Sequence, residues 1–201
     1  FEEFTPGLRG EPAQLIFEGN ITSPDFISKF EEFLIEMSEV EFVGVNQDGS
    51  LNQSGTLNLS KISKLILSNE KVIEDINDKY DLLITDNDNN FIPDNQIQIE
   101  TMIKYGIDNG ISSDGEYSFD PLWFQRYFWY NQELDNDYTS ILMVFLSGTR
   151  TEDDVSKVRN EITKLVNEYN FEKDDVRVGI TGSPFSRSDQ LNATTDSMRR
   201  S

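Results

Sequence analysis

The chain has 201 residues and contains neither cysteine nor histidine. Without cysteine it can form no disulfide, no thiolate nucleophile and no Cys-ligated zinc site. Without histidine it lacks the usual base of a catalytic triad and the side chain that most readily titrates near neutral pH. No spacing of serine, lysine or carboxylate side chains points to a catalytic pair. We therefore expect a protein that is not an enzyme and has no catalytic residue.

Positive charge is scarce, because 17 basic residues stand against 37 acidic ones and the net charge is -20. An acidic surface repels phosphate backbones, so nucleic acid is not expected as a partner. The same repulsion disfavours binding to an anionic membrane surface. The acidic excess favours solubility, and it also attracts cations, calcium among them.

Long apolar runs are missing as well. The longest strongly apolar run, 141–146, is far shorter than the roughly 20 residues that cross a bilayer. The chain opens at Phe1 without a signal peptide, and it closes on 196–201 in what reads as an unfinished helix. We therefore expect both ends to be cuts in a longer protein.

One supersecondary unit, a strand followed by a helix and a second strand, is predicted twice. Two such halves predict an α+β fold, a ferredoxin-like split βαβ sandwich with a mostly antiparallel four-stranded sheet and a helical insertion between the halves. The predicted strands and helices are 14–18, 23–37 and 40–45 in the first half, and 138–147, 151–170 and 174–181 in the second.

The same patterns divide the chain into five parts. Residues 1–13 form a lead-in, and 14–50 form the first βαβ half. A helical insert is expected over 51–135, with amphipathic helices as its main elements. The second βαβ half is expected over 136–184, and 185–201 then lead away from the fold.

Seven aromatic residues are packed into 119–130, inside the insert. This segment has two interpretations, the core of the helical insert or a hydrophobic surface that contacts a ligand. In the second interpretation the substrate-contacting side chains are Trp123, Phe124, Tyr127 and Phe128.

The acidic segment 86–94 has the spacing of a calcium loop. Its oxygen-bearing side chains stand at the first, third, fifth and ninth positions, and a hard cation needs several oxygens converging from a tight turn. Two departures count against calcium. Phe91 stands at the sixth position, where a calcium loop has glycine for its sharp turn, and Ile97 stands at the twelfth, where the last acidic ligand belongs. The alternative is a solvated linker. The candidate calcium ligands are Asp86, Asp88, Asn90 and Asp94.

The end of the second half carries a family likeness. A strand, a long helix and a strand that ends in Thr181-Gly182-Ser183-Pro184 resemble the extracytoplasmic loops of resistance-nodulation-division (RND) transporters, most closely their MMPL-like branch. Such a loop opens with a strand and a helix much like 15–37 and closes with a pattern like 176–184. In this comparison 189–201 would be the approach to the following membrane helix, and 1–13 the lead-in from the preceding one.

The resemblance implies a porter domain, the part of a proton-driven exporter that receives hydrophobic or amphiphilic small molecules or lipids. It implies a location on the extracytoplasmic side of a cell membrane, with the rest of the same transporter as partner. The proton-relay acids of that family lie in membrane helices, so none can be placed on this chain. Apart from calcium, no cofactor is expected.

Two other functions compete with the porter domain. An extracellular calcium-dependent binding or adhesion module would use the acidic segment. A small enzyme on a ferredoxin-like scaffold is the weakest alternative, because no acid–base pair supports it. Neither the substrate nor the oligomeric state follows from the sequence.

Overall fold

A four-stranded antiparallel sheet organises the fold. The computed structural model describes residues 12–112, 118–130, 138–148, 151–182 and 184–185. The elements are β1 (Ala13–Gly19), α1 (Pro24–Glu39), α2 (Leu59–Leu67), α3 (Glu70–Tyr80), α4 (Gln96–Asn109), β2 (Ile111–Ser112), β3 (Ser118–Phe119), α5 (Pro121–Phe124), β4 (Phe128–Tyr130), β5 (Tyr138–Val144), α6 (Glu152–Tyr169), a 3-10 turn (Phe171–Asp174) and β6 (Val176–Thr181).

The strand order in the main sheet is β4-β5-β1-β6, and β1 is antiparallel to both of its neighbours. Leu15 of β1 lies opposite Leu142 of β5 on one side and Ile180 of β6 on the other. Strands β5 and β6 therefore run in the same direction with β1 between them, and α6 connects them. This is the split βαβ arrangement, and the predicted α+β fold class is confirmed.

The second strand of the first half differs from its prediction. Instead of a strand over 40–45, only isolated bridges form, between Val43 and Leu146 and between Val45 and Leu51. Helix α1 continues to Glu39, and Phe42 adopts a left-handed φ of 67°. Because an extended strand needs negative φ throughout, this turn interrupts it.

Several segments share the edge of β5 that a single strand would otherwise occupy. At one end the Gly44 N–H donates to the Phe145 carbonyl at 2.7 Å. At the other end β4 pairs with β5, antiparallel. Between them the Gln53 side-chain amide donates to the Met143 carbonyl at 2.9 Å. The backbone of β5 is thus bonded along a composite edge.

Helices α1 and α6 cover one face of the sheet, and an aromatic core fills the space between. The Phe17 ring of β1 lies 5.2 Å from Phe30 and 5.4 Å from Phe171, both edge-on. Such pairs contribute about 0.5–1.5 kcal/mol beyond the burial of their area. The residues that the two helices bury recur at helical spacing, and they are Phe26, Ile27, Phe30, Phe33 and Met37 on α1 and Val155, Val158, Ile162 and Leu165 on α6.

The predicted first residues of the two covering helices, Ser23 and Thr151, are their N-caps. The Ser23 hydroxyl accepts a hydrogen bond from the Phe26 N–H, with Pro24 in the first turn. Thr151 and Asp154 form a reciprocal capping box at the start of α6. A capping side chain satisfies a backbone donor that the helix itself leaves unpaired.

The segment between the two halves supplies α2 to α5, the small β2–β3 pair and also β4. The aromatic segment 119–130 is therefore helical only over Pro121–Phe124, and its end joins the main sheet as an edge strand. Within the described residues no helix is both long enough and apolar enough to cross a membrane.

Candidate functional site

The four aromatic side chains predicted to contact substrate lie on and after α5. Phe124 and Phe128 are fully buried, Tyr127 is nearly so, and Trp123 is partly exposed. The Phe124 ring packs so closely on α4 that a Cβ added at Gly106 would lie 2.1 Å from it. Of the four rings, Trp123 is thus the one that solvent reaches appreciably.

The hydroxyl of Tyr127 shows why this segment is fixed. It donates to the Gly55 carbonyl at 3.3 Å, and burial raises the pKa of the phenol. The Trp123 ring lies 6.0 Å from Tyr127 and 6.0 Å from Phe119. The bond from Tyr127 attaches the segment to the loop before α2, and the two ring contacts hold the segment together. Substrate contact by the four rings stays a prediction.

A groove of about 820 Å³ opens beside that loop. It lies between α1, α2 and the first turn of α3, and its size falls in the range of small-molecule sites, roughly 300–1,000 Å³. Leu34 and Leu65 supply apolar lining, and three lysines supply charge. The residues that line it are Leu34, Gln53, Asn58, Ser60, Lys61, Lys64, Leu65, Ser68, Asn69, Glu70 and Lys71.

This groove is not predicted by the sequence. The feature of the sequence that could have indicated the groove is the spacing of its lysines. Lys61 and Lys64 are three residues apart and Lys64 and Lys71 are seven apart, which would place them on one face of a continuous helix. The chain breaks between α2 and α3 at Ser68 and Asn69, so the periodicity alone does not bring the three together. Packing of the two helices around that break does.

Two backbone carbonyls hold the ammonium of Lys61 in the groove. Its ammonium donates to the Thr56 carbonyl at 2.8 Å and to the Gln53 carbonyl at 3.3 Å. It also lies 5.8 Å from the centre of the Phe119 ring. Burial lowers the pKa of the Lys61 ammonium, because a less hydrated cation is disfavoured.

Glu31 of α1 organises the neighbouring side of the groove. Its carboxylate accepts from the Ser60 hydroxyl and pairs with the Lys64 ammonium at 2.9 Å. Lys64 therefore has a carboxylate counter-ion. Lys61 has none within ion-pair distance among the residues that the structure describes.

The acidic segment forms a tight loop between α3 and α4. Asp86 accepts from the Asn90 and Phe91 N–H groups at 3.1 and 2.9 Å. The Thr85 hydroxyl and then the Asn87 N–H lower the pKa of Asp94 by hydrogen bonding to its carboxylate. The oxygens of this loop are thus engaged in holding its own turn.

The other two candidate ligands take part in the same turn. The Asn90 side chain donates to Asp88 at 3.0 Å and accepts from the Ile92 N–H at 2.7 Å. Phe91, which stands where glycine was expected, adopts a left-handed φ of 62°. In the described part of the chain no three acidic side chains converge as metal ligands. Calcium binding by this loop stays an untested alternative to a solvated linker.

Known proteins offer no family assignment. No family model matches the chain, and no curated protein matches it.

Proposed function

We propose that the chain is the extracytoplasmic porter domain of an RND-type, MMPL-like exporter and contacts hydrophobic or amphiphilic substrate during transport. The observation that carries the proposal is the split βαβ sheet with a helical segment inserted between its halves. The resemblance in 15–37 and 176–184 implies such a domain. Strand β6 ends at Thr181, the first residue of the 181–184 motif that carries part of the resemblance.

The groove supports a role in substrate contact. It lies on the inserted helices and on α1, where apolar walls and charged side chains are exposed together. An amphiphile has an apolar part and a polar part, and this lining offers surface to both. In this role the chain performs no chemistry, and the energy for transport comes from other parts of the exporter.

The coding sequence on either side of this chain tests the proposal most directly. We expect apolar segments of about 20 residues immediately before Phe1 and immediately after Ser201. A flanking sequence without such segments would overturn the transporter role. The split βαβ fold would be unaffected by that result.

A transport assay tests the same proposal in cells. Cells that lack the gene are expected to accumulate more of the hydrophobic dye Nile red than cells that carry it. Complementation with a Trp123→Ala variant should restore less export than complementation with Trp129→Ala. Trp129 is the control because it lies in the edge strand β4 and is not one of the four predicted contact residues. Equal accumulation with and without the gene would contradict an exporter of hydrophobic compounds.

The second candidate function, a calcium-dependent binding or adhesion module, has one observation in its favour. Asp86, Asp88, Asn90 and Asp94 lie in a single loop of nine residues. It ranks below the porter domain because the loop's own N–H and hydroxyl groups already engage Asp86 and Asp94.

A further inference from the structure

The groove between α1, α2 and α3 concentrates positive charge on a strongly acidic chain. Three of the nine lysines line it, whereas Glu70 is the one acidic residue of its lining. The lining thus carries a formal charge of +2, or +1 when Glu31, which pairs with Lys64, is counted, on a chain of net charge -20. Since the surrounding field repels anions, a local basic groove is the place where one would be retained.

Lys61 provides a fixed cation in this groove. Two of the three N–H donors of its ammonium point to the Gln53 and Thr56 carbonyls. The loop that supplies these carbonyls is itself fixed, since the Tyr127 hydroxyl binds Gly55 and the Ser54 N–H donates to the Asn52 side chain at 3.0 Å. The ammonium is therefore positioned before any ligand arrives.

Lys61 lacks the carboxylate counter-ion that Lys29 and Lys64 have among the described residues. Lys29 and Lys64 each lie within 3 Å of a carboxylate oxygen, on Asp174 and Glu31 respectively. Lys61 is half-buried, and its described polar partners are neutral carbonyls. A partly desolvated cation without a counter-ion raises the free energy of the folded state, and an anionic ligand would offset that cost.

The dimensions of the groove indicate what carries the anion. A volume of about 820 Å³ greatly exceeds that of a bare phosphate or carboxylate group. Leu34 and Leu65 are partly buried and line the same space, so an apolar chain attached to the anion would bury surface against them. The lining thus combines an anion contact with an apolar wall.

We propose that this groove binds a small organic anion, a carboxylate or phosphate monoester carried on an apolar chain, and that Lys61 contacts the anionic group. Lys64 and Lys71 flank the site, and Leu34 and Leu65 contact the apolar chain. The proposal does not rest on the transporter role, because such a site would serve an exporter and an extracellular binding module alike.

Calorimetry on the whole chain with four probes tests the site. Octanoate and octyl phosphate represent the two anion chemistries, and octyltrimethylammonium and inorganic phosphate serve as controls. The three octyl compounds are used below their micelle concentrations. We expect saturable binding of at least one of the two octyl anions and none of the octyl cation. Inorganic phosphate should bind at least about tenfold more weakly than octyl phosphate, because it lacks the apolar chain. Phosphate binding as tight as octyl phosphate, or equal binding of the octyl cation, overturns the proposal.

Three variants separate the contact by Lys61 from nonspecific attraction. Lys61→Met should weaken binding of the octyl anion at least about tenfold, since it removes a charge-assisted hydrogen bond. Lys61→Arg keeps the charge and should retain most of the affinity. Lys164→Met removes an exposed lysine on α6 that pairs with Glu168, and it should bind like the original chain. Equal losses in Lys61→Met and Lys164→Met overturn the proposal.

A measurement on the unmodified chain covers the case in which Lys61→Met does not fold. Titration with the octyl anion is followed by amide chemical shifts in two-dimensional NMR. The shifts that change should cluster on α2, on the first turn of α3 and on the part of α1 around Leu34. Changes confined to other elements, or no saturable change at all, overturn the proposal.

Discussion

Gly106 lies on α4 where this helix meets α5, and its missing side chain leaves room for the Phe124 ring. A Cβ at this position would approach the ring to 2.1 Å, a distance that requires a buried side chain to move. Alanine is the better helix former by about 1 kcal/mol, but overpacking a core costs about 1–3 kcal/mol. The clash should outweigh the gain in helix propensity, so that Gly106→Ala destabilises the fold.

We predict that Gly106→Ala lowers the free energy of unfolding, measured by urea denaturation. Gly179→Ala in β6 is the matched control, because its added Cβ would have its nearest contact at 3.9 Å and should change stability little. The double variant Gly106→Ala/Phe124→Leu should lose less than the sum of its single variants, because the smaller side chain relieves the clash. A Gly106→Ala protein as stable as the original would contradict the packing described here.

Tyr169, at the end of α6, is a second residue with a measurable consequence. Burial, and then a hydrogen bond to the Glu36 carboxylate, raise its pKa to about 12. An unfolded tyrosine has a pKa of about 10, so above that pH the unfolded state loses a proton that the folded state keeps. The contribution is complete below pH 10 and is lost as the pH rises through about 12.

We therefore predict that the free energy of unfolding falls more steeply between about pH 10 and 12 in the original chain than in Tyr169→Phe. Urea denaturation at a series of pH values measures both slopes. Parallel curves would show that Tyr169 titrates alike in the folded and unfolded states.

At the scale of single elements, the start of α6 is a place where local sequence alone fixes structure. Thr151 and Asp154 cap each other's backbone groups, and Glu152 and Asp153 add negative charge at the helix start. We predict that Thr151→Ala costs about 1 kcal/mol of stability. Thr163→Ala, in the exposed middle of the same helix, should be neutral or slightly stabilising. Chemical denaturation of the two variants checks this, and equal losses would contradict the capping role.

The sequence of the acidic loop suggests calcium binding, whereas its hydrogen bonds suggest a turn that is held by its own side chains. Because Asp86 and Asp94 already accept bonds from within the loop, we predict no saturable heat when calcium is titrated into the chain at millimolar concentrations. Asp86→Ala and Asp108→Ala, the latter at an exposed site on α4, are the variants for comparison. Saturable heat that disappears in Asp86→Ala and persists in Asp108→Ala would instead favour the calcium-dependent module.

Elements defined by periodicity were predictable, and elements defined by distant partners were not. The buried stripes of α1 and α6 followed from spacing, because a helix exposes every third or fourth residue to the same neighbour. The strand expected over 40–45 does not form because Phe42 turns the chain, although the residues of this segment favour extended structure. The aromatic segment has no period that reveals β4 as a partner of β5.

At the scale of the whole molecule, the net charge of -20 is the dominant long-range term. Like charges on a compact surface repel one another, and salt shortens the range of that repulsion. We predict that added NaCl raises the thermal midpoint, with most of the gain below roughly 0.15 M, where the Debye length falls to about 8 Å. Differential scanning calorimetry measures the series. A midpoint that falls with salt, or rises in proportion up to molar concentrations, would contradict an electrostatic origin.

The sequence by itself determined the fold class, the two covering helices with their caps, and the lack of cysteine and histidine chemistry. These depend on composition and on neighbours within a few residues of one another. Only the tertiary structure decided which segments complete the edge of β5, which aromatic rings are buried, and that Lys61 lies in a groove without a described carboxylate partner. The physical reason is that backbone pairing, burial and charge compensation there depend on residues far apart in the chain, as with Gln53 and Met143.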